Sequence, residues 1–131
     1  MHIIIVGCGR VGAQLAKLLS EEGHNVVVVD QNAQAFDRVG QTFNGLTITG
    51  NGCNSDVLKS ANIEKADVFC ALTDCDNINI MASQVAKKIF NVGKVIARVY
   101  DPQKADIYKT LGLDTVSGTV IFASFIKDKI K

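Results

Sequence analysis

The sequence predicts an α/β fold, a doubly wound parallel sheet of about six strands, and three observations carry that reading. Apolar β-branched runs alternate with segments of helical periodicity along the whole chain. Glycines punctuate the joins, whereas proline occurs once among 131 residues, so long irregular loops have little support. Hydrophobic residues make up 47% and charged residues 21%, enough apolar material for a core and too little charge for a disordered tail. Such alternation implies right-handed crossovers, with helices on both faces of the sheet.

The first strand is a continuous apolar run, His2–Val6, as expected of a strand buried on both faces. Residues 10–22 follow as a helix, with Val11, Leu15, Leu18 and Leu19 on one face and Gly23 as its stop. Asn25–Asp30 forms the second strand, 32–43 a weaker helix and Leu46–Thr49 a short third strand. Asn54 or Ser55 caps a helix over 56–61, and 67–72 is the fourth strand. A long helix marked by Ile78, Ala82, Val85, Ala86 and Ile89 ends before Gly93. Residues 94–99 give the fifth strand, 102–111 a helix opened by Pro102 and closed by Gly112, and 114–117 a short sixth strand. A last helix spans 119–131, dividing the chain into a body of 1–118 and this terminal element.

Composition excludes several functional classes. The formal net charge is +1, so no global field draws the chain to nucleic acid. No apolar run approaches the about 20 residues that a membrane span needs, and no signal peptide is visible, which predicts a cytoplasmic protein. The cysteines Cys8, Cys53, Cys70 and Cys75 form no C-x-x-C pair and read as reduced thiols rather than a metal site.

The most informative segment is Gly7-Cys8-Gly9-Arg10-Val11-Gly12, a G-x-G-x-x-G pattern between an apolar strand and an amphipathic helix. Gly7 makes the tight turn, Gly9 leaves room for a phosphate, and Gly12 lets helix and strand pack closely. This is the sequence signature of a Rossmann-type dinucleotide fold, with phosphates at the helix N-terminus. Asp30 ends the second strand where a carboxylate accepts hydrogen bonds from the ribose hydroxyls of an adenosine. A 2′-phosphate would meet a like charge there, and Gln31-Asn32 supplies no arginine, so NADP is disfavoured relative to NAD(H), ATP or ADP. Arg10 places a guanidinium inside the turn, in reach of phosphate oxygens of its own site or of a neighbouring subunit's.

Two further loops fall at the carboxyl ends of strands, the side on which open α/β sheets bind ligands. Gly50-Asn51-Gly52-Cys53 borders the adenine side, and Leu72-Thr73-Asp74 with Asn77 offers hydroxyl and amide groups near the phosphates. Asp74 and Asp76 read either as a cation pair or, preferably, as supplying a cap for the following helix. Arg98 either reaches the same crevice or makes a structural ion pair. His2 and His24 lie at the opposite end of the sheet, and no hydrolase, P-loop or metalloprotease motif occurs. The last helix carries Val120, Ile121, Phe122, Phe125, Ile126 and Ile130, a stripe wider than one sheet face covers, which points to a subunit contact.

Taken together, the glycine turn, Asp30, Gly50-Asn51-Gly52-Cys53, Asp56-Val57-Leu58, Ala66-Asp67, Thr73-Asp74 with Asp76-Asn77, Ala97-Arg98-Val99 and Leu111-Gly112-Leu113-Asp114 form an ordered set. That set resembles the TrkA-N type nucleotide-binding domain of regulator-of-potassium-conductance proteins, the Trk/Ktr potassium-uptake regulatory subunits. The resemblance implies a domain that binds NAD(H) or adenine nucleotides and assembles from dimers into octameric rings. It further implies a cytoplasmic position beneath a membrane potassium-translocating subunit, whose pore it gates, and no catalysis. The terminal helix resembles the crossover helix by which neighbours associate. Cys53 stands where threonine or alanine is usual, Asn62 where glycine is common, and Ser117-Gly118-Thr119 lacks a frequent proline. The family's second, carboxyl-terminal domain has no counterpart in these residues. The alternative readings are the cofactor half of an NAD-dependent oxidoreductase, which lacks a substrate domain, and a redox-sensing transcriptional regulator, which lacks a DNA-binding module.

Overall fold

The computed structural model describes all residues, Met1–Lys131. The strands are β1 (His2–Val6), β2 (Asn25–Asp30), β3 (Leu46–Thr49), β4 (Val68–Ala71), β5 (Lys94–Arg98) and β6 (Asp114–Val116). They form one parallel sheet in the order β3-β2-β1-β4-β5-β6. This is the Rossmann order, in which the chain crosses from one half of the sheet to the other between β3 and β4. The helices are α1 (Arg10–Glu21), α2 (Ser55–Ser60), α3 (Asp76–Gln84), α4 (Ala105–Thr110) and α5 (Gly118–Ile130).

Alternation along the central strands builds a core on each side of the sheet. Ile3, Ile5, Val26, Val28 and Cys70 face α1 and the 3-10 segment Ala33–Val39, where Ala13, Ala16, Ala35 and Val39 meet them. Ile4, Val6, Val27, Val29 and Phe69 face the other way, against Leu58, Ile63, Ala82, Ala86 and Tyr108. Two-sided burial explains why β1 and β2 are unbroken aliphatic runs instead of alternating patterns.

Local departures from the sequence reading have identifiable causes. The 32–43 region is a 3-10 segment over Ala33–Val39, stopped by Gly40 at φ +78, because only Ala35 and Val39 find buried positions. On α1 the buried residues are Gly12, Ala13 and Ala16, while Val11 and Leu18 stay about half exposed. Small side chains make the closest approach and let the helix lie near the sheet, while Leu15 and Leu19 pack half-buried against the same core. The long helix changes winding at Val85–Ile89, where the Phe90 N–H reaches back to Val85 in a π-type turn. Pro102–Lys104 is a 3-10 turn capped by Asp101, so α4 begins only at Ala105. Asp67 lies just outside β4, its carboxylate accepting the His2 N–H at 2.8 Å and so joining the strand starts. Asn62 adopts the left-handed conformation at φ 61, which asparagine tolerates better than other non-glycine residues.

Gly7 and Gly12 are fixed by geometry. Gly7 has φ +107, and a Cβ there would stand 2.8 Å from the Thr73 nitrogen. A Cβ on Gly12 would overlap the Gly7 carbonyl oxygen. Gly12→Ala should therefore cost about 2–3 kcal/mol in urea unfolding, as overpacking does. Gly9→Ala, whose Cβ meets open space, is the control and should move stability by less than about 1 kcal/mol; equal losses would show that crowding at Gly12 is relieved by backbone movement.

Candidate functional site

The carboxyl ends of the strands open into a cleft of about 870 Å³. Its floor is the glycine turn between β1 and α1. Gly9 is the α1 N-cap and has no side chain to bond the first turn. The leading amides of α1 therefore have no partner within the helix and point, with the positive end of the helix dipole, at the cleft. Such a turn can hold an anion such as a phosphate group.

Asp30 and Arg38 clamp this turn from the side of β2. The Cys8 N–H donates to Asp30 Oδ2 at 2.7 Å, and the Asn32 N–H donates to Asp30 Oδ1 at 2.8 Å. Arg38 Nη1 donates to the Cys8 carbonyl oxygen at 3.2 Å. The Cys8 backbone is thus held at both ends by opposite charges. Burial pushes the Cys8 thiol above its usual pKa, the Asp30 carboxylate adds to the rise and the Arg38 guanidinium opposes it. The thiol stays neutral at pH 7, adding no negative charge beside the turn.

A buried amide organises the opposite wall. Asn79 is fully buried on α3, and its Oδ1 accepts the Thr73 N–H at 2.8 Å and the Thr73 hydroxyl at 2.6 Å. Its Nδ2 donates to the carbonyls of Thr73 and Arg98, both at 3.0 Å. One side chain therefore ties the end of β4 to the end of β5. Asp76, at the start of α3, holds the loop after β5, accepting the N–H groups of Tyr100 at 2.7 Å and Asp101 at 3.1 Å. Arg98 lies over the Tyr100 ring, 4.4 Å from its centroid, an orientation favoured by the ring's negative face.

Of the residues singled out in the sequence, Gly7, Cys8, Gly9, Arg10, Val11, Asp30, Gln31, Gly50, Gly52, Leu72, Thr73, Asp74 and Arg98 line this cleft. Gly12, Asn51, Cys53 and Asn77 do not. Gly12 is buried behind the turn. Asn51 turns its Oδ1 to the Cys53 N–H at 2.8 Å, forming a local turn. The Cys53 thiol lies 3.8 Å from the Ile78 carbonyl, its pKa raised by burial and then by Cys75. Asn77 is exposed at the start of α3. Thr73 is on the wall, but its hydroxyl proton is directed at Asn79, so it is not the free donor the sequence suggested. Asp76 caps no helix; both its oxygens serve the loop after β5.

Other wall residues escaped the sequence reading, among them Asn32, Ala35, Arg38, Tyr100 and Phe122. Arg38 is the consequential one, because Gln31-Asn32 places no cation next to Asp30 in the sequence and the fold does. The register of the 3-10 segment brings Arg38 back beneath Cys8. Its signal was an arginine three residues beyond the inward-facing Ala35.

The pattern that defines the TrkA-N domain matches residues 3–118. The chain belongs to the TrkA-N domain family. Over 117 residues this TrkA-N chain is 47% identical to the Trk system potassium uptake protein TrkA of Streptomyces coelicolor, covering 89% of the chain and 52% of that protein. It is 38% identical over 109 residues to a TrkA homolog of Pyrococcus abyssi, covering 83% and 48%. The chain thus spans about half the length of the curated relatives it matches. Its fold superimposes on the TrkA-N domain of the inner membrane protein ybaL from Escherichia coli with a TM-score of 0.89 at 20% identity, covering 99% of this chain and 96% of that one. The AMP-bound Kef CTD of Shewanella denitrificans gives 0.82 at 23% identity, covering 95% and 76%. The NAD-bound GsuK channel gives 0.74 at 21% identity, covering 88% and 21%. No helix of the structure is long and apolar enough to cross a membrane.

Asn79→Leu should leave the Thr73 amide and the carbonyls of Thr73 and Arg98 without their partner, costing about 3 kcal/mol or more in chemical unfolding. A loss below about 1 kcal/mol would mean that these groups find other partners.

Proposed function

We propose that the chain is the nucleotide-sensing domain of a regulatory subunit that gates a membrane potassium-translocating partner, and that it carries out no chemistry. The observation that carries this reading is a single cleft joining the phosphate-type glycine turn and Asp30 to Phe122 of α5. Adenine nucleotides, NAD(H) or ATP/ADP, fit the arrangement. The α1 amides and Arg10 would take the phosphates, and Asp30 would take the ribose through lone pairs left beside its two backbone bonds. AMP and NAD in the related folds, and the potassium-uptake names of the relatives, support the same ligand class and role.

Transmission needs an element that feels the ligand and also meets a neighbour. Helix α5 fits both demands. Phe122 reaches the cleft mouth while 70% exposed, and α5 has no buried residue, with Ile121, Phe125 and Ile130 open to solvent. A second copy of the chain is the natural cover for this apolar helix, giving a homo-oligomer on the cytoplasmic side of the membrane. A nucleotide that binds associated and free chains unequally must shift their equilibrium by the same factor as its own affinity changes.

A thermal-shift panel of NAD, NADH, ATP, ADP and AMP should show saturable stabilisation, about 2.7 kcal/mol for a ligand at 100 times its Kd, with Asp30→Ala weakening it. No shift with any of the five would sink the sensing role. Sedimentation or light scattering should detect self-association that Phe125→Asp abolishes and saturating nucleotide changes. A chain that stays monomeric at high concentration would remove α5 as the route.

A further inference from the structure

The adenosine end of the cleft carries a cation as well as an anion. Asp30, at the end of β2, is the group that would take the ribose hydroxyls. Arg38 lies on the same wall, and the two charges hold opposite ends of one residue: Cys8 N–H on Asp30 at 2.7 Å, Cys8 carbonyl on Arg38 at 3.2 Å. A guanidinium has five N–H donors, and the Cys8 bond uses one of them. Arg38 is exposed and lines the cleft, which leaves its other N–H donors for a ligand. Asp30, for its part, has each oxygen already accepting a backbone N–H. Those bonds spread its charge and reduce the field that a second anion would meet.

We propose that Arg38 is a specificity-determining residue for the ribose 2′ position, offsetting Asp30 so that the cleft accepts 2′-phosphorylated adenine nucleotides as well as unphosphorylated ones. The inference rests on the nucleotide reading of the cleft. Sequence alone points the opposite way, because an aspartate at the end of the second strand without an adjacent arginine rejects a 2′-phosphate. The fold supplies that arginine from eight residues further along. An arginine fork suits a phosphate in a way that a lysine point charge does not, since it can offer two parallel N–H groups.

The decisive measurement is calorimetric titration of the chain with AMP and with adenosine 2′,5′-bisphosphate, which differ only at the 2′ position. Wild type should bind both within about tenfold of each other. Arg38→Ala and Arg38→Gln should shift the ratio of the two dissociation constants at least about tenfold against the bisphosphate, the worth of one charged hydrogen bond. Arg38→Lys should recover part of that shift. A parallel loss of both ligands, leaving the ratio unchanged, would mean that Arg38 only holds the Cys8 carbonyl and would overturn the proposal. Binding of AMP without the bisphosphate would overturn it equally. Failure of wild type to bind either ligand would bring down the nucleotide reading together with this one.

Discussion

The close approach of backbone to backbone at Gly7 and Gly12 is the constraint around which the molecule is organised. Gly7 lies against the end of β4 and Gly12 against the Gly7 carbonyl, so β1, β4 and α1 meet where no side chain fits. Steric exclusion here has an electrostatic outcome. Because Gly7 and the N-cap Gly9 carry no side chain, no cap covers the amides at the start of α1 where they reach the cleft, and the dipole of a twelve-residue helix stands behind them. The alanines of α1 serve the same end, since bulkier residues on that face would lift the helix off the sheet.

Around this dry contact the cleft is assembled by side chains that bond to backbone. Asp30 and Arg38 fix the turn, Asp76 fixes the loop after β5, and Asn79 fixes the ends of β4 and β5 together. Each replaces a backbone partner that a loop at the edge of a parallel sheet cannot find. The arrangement rests on few groups, and the fully buried Asn79 is satisfied at every polar atom. A preformed cleft follows, with little loop ordering left for a ligand to impose.

Much of this was legible in the residues. The strands declared themselves as β-branched runs because burial on both faces removes any reason for alternation. The glycine turn was readable because its spacing has a steric cause, and Asp30 because its place follows from the turn. What escaped depended on tertiary register. Arg38 reaches Cys8 only because 33–39 winds as a 3-10 segment, and periodicity did not reveal that winding. Thr73 looked like a free hydroxyl because its partner, Asn79, sits on a helix whose pattern marks only the apolar positions. On α1 the apolar pattern placed Leu15 and Leu19 against the core but not Val11 and Leu18, and Gly12, Ala13 and Ala16 take the closest positions because a helix pressed against a tight turn selects for size.

Strand order also has a consequence for how the chain reaches this state. β1 lies at the centre of the sheet, paired on one side with β2 and on the other with β4, so that Ile3 meets both Val26 and Val68. During synthesis the first of these partners emerges soon after β1, and the second only some forty residues later. In the interval the half built from β1, α1 and β2 presents an unpaired, aliphatic strand edge, the kind of surface that templates wrong pairings. The packing of Gly7 against the end of β4 is also missing during this time, although the bonds that hold the turn, to Val29, Asp30 and Arg38, lie within the first half. The central strand and the far wall of the cleft, with Leu72, Thr73 and Arg98, are therefore completed late, and a chain caught before then carries an open sheet edge and half a site.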